Sequence, residues 1–112
     1  MADAIADFFA ALGTRGHEPL LRRATGTFRF EVTGERPGHW FVEVARGDVS
    51  VSRRNAPADC VMRADRKVFD AIVSGRANAF AATLRGAAAI DGDISLLATF
   101  QRLLPGPPSA HA

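Results

Sequence analysis

Apolar residues near the start of the chain recur with the spacing of an α-helix. They occupy positions i, i+3, i+4 and i+7, which predicts an amphipathic helix. Asp3 stands at the N-cap position and Gly13 is predicted to end the helix. A second, short helical turn is predicted from Pro19, because proline suits the first position of a helix. The apolar positions of the first helix are Ile5, Phe8, Phe9 and Leu12.

From Gly26 onward the period changes from about 3.6 to 2, the spacing of a half-buried strand. Apolar and polar residues alternate over 28–33, 40–44 and 49–52, which predicts three strands. The Arg46-Gly47 pair is predicted to form a tight turn between the second and third, so the three strands form an antiparallel meander. A fourth strand is predicted over Cys60 to Ala64.

The helical period returns after residue 64. Asp65 is predicted to cap a helix that places Phe69, Ile72 and Val73 on one face and ends at Gly75. The next helix carries Phe80 and Leu84 and ends at Gly86. A short fifth strand is predicted over 88–90, and Asp93 is predicted to cap a last helix over 94–104. Three prolines then end regular structure, which predicts a flexible tail over 105–112.

The predicted last helix is apolar over a wider arc than a single buried face requires. A ligand cavity, a partner subunit or a neighbouring helix would each cover the additional surface, and periodicity does not choose among them. The apolar residues are Ile94, Leu96, Leu97, Phe100, Leu103 and Leu104.

Length and composition indicate one compact globular domain. The chain has 112 residues, of which 47% are hydrophobic and 23% charged, with a formal net charge of +2. Basic residues never occur more than two together and acids are mixed among them, so no basic stripe is available to follow a nucleic-acid backbone. Nucleic acid is therefore not an expected partner.

Cysteine content and the N-terminal sequence both favour the cytoplasm. Cys60 is the only cysteine, which excludes an intramolecular disulfide and a multi-cysteine metal site. The first twelve residues contain two acids and no basic residue, unlike a secretory signal, and no apolar run reaches the length of a membrane span.

Candidate catalytic chemistry is sparse. His17, His39 and His111 are scattered, and no phosphate loop, nucleophile elbow or metal-ligand spacing occurs. The Asp91-Gly92-Asp93 segment is interpreted as a turn followed by an N-cap, and Cys60 as a small core residue. No catalytic residue, metal or cofactor is predicted, so we do not expect an enzyme. Trp40 either fills the core or stacks on a ligand.

Three segments, in order, resemble the sterol carrier protein type 2 domain family. They are GTFRFEVTG at 26–34, GHWFVEVARGDVSV at 38–51, and the segment over 58–104 that begins ADCVMRADRKVFDAIVSG and ends IDGDISLLATFQRLL. The resemblance implies one domain over 1–104 with an α/β (α+β) fold. It implies a five-stranded mixed, mostly antiparallel sheet covered on one face by helices, with an apolar tunnel between the layers.

Family members bind fatty acids, acyl chains, sterols or related lipids without chemistry. The resemblance therefore implies a lipid carrier that needs no cofactor, makes at most transient contact with a membrane and holds a fatty acid, acyl-CoA or similar ligand. The lining carried over by position is Phe30, Trp40, Val42, Met62, Phe69, Ile72, Phe80, Leu84, Leu97, Phe100 and Leu104.

Two departures from the family change what is expected of the ligand. Ala87 follows Gly86, where family members often carry a lysine, so any headgroup contact by that lysine is lost. The chain ends without a peroxisomal serine-lysine-leucine signal. With thirteen arginines and one lysine, it looks like a stand-alone bacterial relative, for which a sterol ligand would be unusual.

A second reading keeps the same fold but gives it another role. The wide apolar face of the last helix would then form a homodimer or dock onto a partner enzyme of a lipid or quinone pathway, with the cavity filled by side chains.

Overall fold

The computed structural model describes residues 3–102 as four α-helices and five strands. A short 3-10 helix over Pro19–Leu21 follows the first α-helix, as predicted from Pro19. In chain order the elements are α1 (Ala4–Arg15), β1 (Thr25–Thr33), β2 (Gly38–Ala45), β3 (Asp48–Ser52), β4 (Cys60–Asp65), α2 (Arg66–Val73), α3 (Ala79–Leu84), β5 (Ala88–Gly92) and α4 (Ile94–Gln101).

The five strands form one open sheet in the order β3-β2-β1-β4-β5. The central pair, β1 and β4, is parallel, and every other neighbouring pair is antiparallel. Phe30 of β1 lies opposite Trp40 on one side and Met62 on the other, so these three side chains form one row across the sheet. The predicted five-stranded mixed sheet is confirmed.

The β2–β3 turn forms as the sequence predicts. Ala45 pairs with Asp48, which leaves Arg46 and Gly47 as a two-residue loop. Their φ angles are 52° and 91°, and two successive positive φ values are what a type I′ hairpin turn requires. Glycine at the second position accepts that conformation without a Cβ clash.

One face of the sheet remains polar. The connection from β3 to β4 runs against this face, where the Arg29 guanidinium donates hydrogen bonds to the Asn55 side chain and the Ala56 carbonyl oxygen. Phe41 is buried here, with the Arg54 guanidinium 5.2 Å from its ring centroid.

The other face of the sheet forms the core under the helices. Side chains at alternate positions of β1, β2 and β4 are all buried, which is the pattern of a strand packed on one side. Helices α1, α2 and α4 cover them with Phe9, Phe69 and Phe100, each no more than 2% exposed. The buried strand residues are Phe28, Phe30, Val32, Trp40, Val42, Val44, Cys60, Met62 and Ala64.

Helix α1 begins where predicted and ends later. The Asp3 carboxylate accepts hydrogen bonds from the backbone N–H groups of Ile5 and Ala6 at 3.1 and 3.2 Å, as an N-cap should. The predicted end at Gly13 is wrong, because the helix continues to Arg15. A Cβ at Gly13 would lie 3.4 Å from the Cβ of Val51. This distance is ordinary van der Waals contact, so Gly13 is an internal residue of the helix where α1 packs on β3. The glycine that ends the helix is Gly16, whose φ of 71° is the positive value typical of a C-cap.

The later caps match the sequence. Asp65 accepts from the Lys67 N–H and Asp93 accepts from the Ser95 N–H, both at 3.0 Å. Helix α4 is described as Ile94–Gln101, so the predicted continuation to Leu104 and the predicted tail over 105–112 lie outside the described residues. Within residues 3–102, no helix is long and apolar enough to cross a membrane.

Candidate functional site

A closed apolar cavity lies between the sheet and the helices. Its volume is about 10 Å³, close to the smallest that holds one water molecule. Every side chain around it is apolar, and a cavity with no polar partner for water stays dry. The lining residues are Phe8, Phe9, Phe30, Met62, Phe69, Ile72, Val73, Leu97 and Phe100.

Many of the residues implied by the resemblance come together at this cavity. They lie on four different elements, β1, β4, α2 and α4. The apolar periodicity of these strands and helices therefore identified the sides that face the core. The predicted residues in the lining are Phe30, Met62, Phe69, Ile72, Leu97 and Phe100.

Four predicted lining residues stand elsewhere. Val42 is fully buried in the core without lining the cavity, Phe80 is half-buried at the margin of the core, and Trp40 lines a separate groove. The prediction for Leu84 is wrong, because this side chain is 88% exposed. Leu104 lies outside the described residues.

The position of Leu84 follows from the short helix α3. This helix buries Ala79 and Ala82, and two residues beyond Ala82 the helix has turned by about 200°. Leu84 therefore points away from the core. The i, i+4 spacing of Phe80 and Leu84 suggested a buried face, but the alanines pack closer to the sheet.

An open groove of about 590 Å³ lies between α1 and β3. Its floor is apolar, formed in part by Phe9 and Trp40, and its edge carries hydroxyl groups and a guanidinium group. Phe9 lines both the groove and the closed cavity, so its ring is the partition between them. The groove is lined by Ala6, Phe9, Ala10, Gly13, Thr14, Trp40, Val49, Ser50, Val51, Ser52 and Arg53.

Aromatic rings connect the groove to the cavity. Phe9 stacks on Trp40 with ring centroids 4.8 Å apart and lies 5.2 Å from Phe30. Phe30 in turn lies 4.9 Å from Phe100, which contacts Phe28 at 5.2 Å. Aromatic pairs at these separations stabilise the fold by more than the burial of their apolar surface alone would give. The interior is thus closed by ring packing.

Sequence reasoning assigned Phe8, Phe9 and Val73 to helices but did not place them at the site. The signal for Phe8 and Phe9 was present in the apolar stripe of the first helix. Nothing in the spacing showed that this stripe would face the strand row of Phe30 and Trp40.

The nucleophilic and basic groups of the described residues are dispersed. Cys60 is 1% exposed, and burial, followed by the negative charges of nearby aspartates, raises the pKa of its thiol. A buried thiol of raised pKa is a poor nucleophile. His17 contacts Asp48 at 2.8 Å on the surface, and His39 contacts the Arg53 carbonyl oxygen at 2.8 Å. His111 lies outside the described residues.

The interpretation of Asp93 as an N-cap is confirmed, but the interpretation of the residues before it as a turn is wrong, because Asp91 and Gly92 are the last two residues of β5. The Asp93 N–H donates to the Asp59 carbonyl oxygen at 2.8 Å. Gly92 has a φ of 98°, and a Cβ there would collide with the same carbonyl group. Within residues 3–102, no group of three or more histidine, cysteine and acidic side chains is arranged to hold a metal ion.

The open five-stranded mixed sheet with its helices agrees with the fold found by the comparisons. The model of the SCP-2 sterol transfer family matches residues 9–105. The chain belongs to this family. The family supports lipid binding or transfer by this fold, which is generally non-catalytic.

A curated protein matches most of this chain at low sequence identity. Hydroxysteroid dehydrogenase-like protein 2 of Xenopus tropicalis is 26% identical over 98 residues, which are 86% of this chain and 24% of that protein. This chain thus spans about a quarter of the length of that curated relative.

Two solved structures of sterol carrier protein 2 domains show the same fold as this chain. The sterol carrier protein domain 2 of Helicoverpa armigera gives a TM-score of 0.72 at 20% identity, with 89% of this chain and 84% of that one covered. A palmitated sterol carrier protein 2 like 2 from Aedes aegypti gives a TM-score of 0.62 at 17% identity, with 91% and 92% covered.

Proposed function

We propose that this chain is a non-catalytic carrier that holds a fatty acid, acyl-CoA or similar single-chain lipid between its sheet and its helices. The observation that carries the proposal is the closed cavity, whose lining is apolar throughout and lies next to an open groove across Phe9. An acyl chain is the ligand that such a lining suits, because it needs no polar partner along its length.

The cavity must expand to take the ligand. Ligand pockets usually measure about 300–1,000 Å³, whereas this cavity measures about 10 Å³. Each buried methylene contributes about 0.8 kcal/mol, so ten of them supply roughly 8 kcal/mol toward moving the side chains. The side chains expected to move are those of Met62, Phe9 and Phe100, because they line the cavity and each can rotate about two or three side-chain bonds.

Two further considerations support the proposal. A relative with the same fold, the protein from Aedes aegypti, is palmitated. The lone cysteine, Cys60, is free and buried, which suits a carrier that works in the reducing cytoplasm and meets membranes only transiently.

Fatty acids of increasing length test the proposal. The chain has one tryptophan and no tyrosine, so emission reports on Trp40, which packs against Phe9. Long-chain acids are expected to change the emission saturably, with affinity rising with chain length, while short-chain acids of equal charge leave it unchanged. An identical response to short and long acids would show a surface charge effect in place of a cavity.

A pair of charge substitutions locates the binding. Leu97→Asp puts a carboxylate into the apolar cavity and is expected to abolish binding, because a buried unpaired charge is strongly disfavoured. Leu84→Asp is the matched control, since Leu84 is exposed. A direct measurement accompanies both: lipid extracted from the purified protein with organic solvent is identified by mass spectrometry. Purified protein that carries no lipid and binds none would refute the proposal.

A docking role is the second candidate. Three exposed apolar side chains, Leu20, Leu84 and Ile94, are 52–88% exposed, and the domain is a small part of the Xenopus tropicalis relative. A homodimer or a complex with a lipid- or quinone-pathway enzyme would cover such residues. Analytical ultracentrifugation tests the dimer: a mass that stays at twice 11.9 kDa on dilution, without bound lipid, would favour this role.

A further inference from the structure

We infer that Arg53 binds the anionic head group of the ligand at the groove between α1 and β3, and that the chain enters the interior past Phe9. The inference rests on the proposed lipid-binding function and adds the polar end of the site and the route of entry.

Arg53 is the cationic side chain of the groove. Its guanidinium carbon lies 4.3 Å from the centroid of the Trp40 ring, which holds the side chain over the apolar floor. No carboxylate among residues 3–102 forms a salt bridge with Arg53, whereas its neighbour Arg54 donates to Glu43 at 3.0 Å. The charge of Arg53 is thus available to a ligand.

The rest of the groove suits an anion on an apolar chain. Thr14, Ser50 and Ser52 line it beside Arg53, and their hydroxyl groups are hydrogen-bond donors. No carboxylate belongs to the described lining, so a bound anion meets no like charge there. Arginine forms strong charge-assisted hydrogen bonds with carboxylates, sulfates and phosphates. The shared ligand chemistry is a single anionic head with an aliphatic tail.

Phe9 gives the tail its path inward. The ring contacts Trp40 on the groove side and Phe30 on the cavity side. Rotation of this one side chain would join the groove to the closed cavity. The head group would then remain at Arg53 while the tail replaces the Phe9 ring against Phe30.

The test uses NMR titration of the full chain with sodium decanoate, decan-1-ol and sodium acetate, each below its solubility limit and micelle concentration. Decanoate and decanol share a tail, and acetate has only the head group. Decanoate is expected to bind the wild type more tightly than decanol and to shift backbone amides of residues 50–53 and 10–14, while acetate causes no saturable shift.

Arg53→Gln and Arg54→Gln form a matched pair, since neighbouring residues of an extended segment point to opposite faces. Arg53→Gln is expected to weaken decanoate binding about tenfold, the effect of losing one charge-assisted hydrogen bond, and to leave decanol binding unchanged. Arg54→Gln is expected to change neither.

The outcomes separate the inference from the proposed function. Equal effects of the two substitutions, equal losses for decanoate and decanol, or amide shifts away from α1 and β3 would each overturn the inference while lipid binding stands. Absence of binding by both decyl compounds to the wild type, repeated with palmitate, would overturn the proposed function and the inference together.

Discussion

The ring of Phe9 stacks on the ring of Trp40, with centroids 4.8 Å apart and planes inclined by 15°. This contact joins α1 to the sheet and closes the interior toward the groove. Phe9 is 1% exposed and Trp40 is 5% exposed, so the pair is part of the core. Phe9 also lines both the groove and the cavity, so one residue belongs to the core and to the candidate site.

Phe9→Ala is expected to lower the free energy of unfolding by about 3–5 kcal/mol, as is usual when a buried phenylalanine is truncated. It is also expected to shift Trp40 emission to longer wavelengths in the folded protein, because water reaches the indole ring once the stacked partner is gone. Urea unfolding followed by circular dichroism measures the first effect and an emission spectrum the second. A stable variant with unchanged emission would show that Phe9 does not close the interior.

Leu97→Ala and Leu84→Ala make the same chemical change at a buried and an exposed position. Leu97 is 0% exposed and lines the cavity, whereas Leu84 is 88% exposed. We expect Leu97→Ala to cost about 2–5 kcal/mol of stability and Leu84→Ala to cost less than about 0.5 kcal/mol. Thermal or urea unfolding of the two variants measures the difference. Similar losses would mean that Leu84 is covered in solution, as the docking role requires.

The strands and their faces were predictable because their alternation is regular. Phe28, Phe30 and Val32 alternate with polar residues, and that period fixes which side chains share a face. The Arg46-Gly47 turn was equally local, since its residues suit the backbone that a short hairpin needs. The parallel pairing of β1 with β4 was not predicted, because pairing across a long connection leaves no local pattern in the sequence. The family resemblance implied only that the sheet is mixed and mostly antiparallel.

The closed interior could not be predicted from the sequence. An open tunnel and a packed core use the same apolar residues at the same spacing, so the sequence pattern does not distinguish them. Gly13 and Leu84 were misjudged for a related reason. Glycine often ends helices, but Gly13 is an internal residue of α1 and the helix ends at Gly16. A leucine at helical spacing is exposed when smaller residues pack on the sheet.

Cys60 is expected to resist thiol reagents in the folded protein. Its side chain is buried and the pKa of its thiol is raised, chiefly by burial, so little thiolate is present near neutral pH. Labelling with a disulfide reagent at pH 8 is expected to be slow in buffer and fast in concentrated urea. Cys60→Ala removes one small side chain and is expected to cost about 1 kcal/mol while lipid affinity is retained. Rapid native labelling, or a tenfold loss of affinity at intact stability, would assign Cys60 a role in binding.

Glu31 is expected to contribute to the loss of stability in acid. Arg63 donates two hydrogen bonds to its carboxylate, at 2.7 and 2.9 Å, and Arg29 donates a third at 2.7 Å. The hydrogen bonding from Arg63 is the largest influence on the pKa of Glu31; burial opposes it, and the pKa in the folded protein lies below its ordinary value. A carboxylate with a lowered pKa stabilises the fold at pH values above its unfolded-state pKa, and this contribution is lost as the pH falls through the folded-state pKa.

Glu31→Gln is therefore expected to lower the free energy of unfolding by about 1 kcal/mol at pH 7, with a smaller difference from the wild type at pH 3. Urea unfolding at several pH values between 3 and 7 measures this convergence. Glu35→Gln is the control, because Glu35 is exposed and its carboxylate has no ion pair within residues 3–102. Free energies of unfolding that differed between wild type and Glu31→Gln by the same amount at every pH down to 3 would contradict this prediction. The arginine contacts of Glu31 would then not be coupled to its ionisation, and other carboxylates would cause the loss of stability in acid.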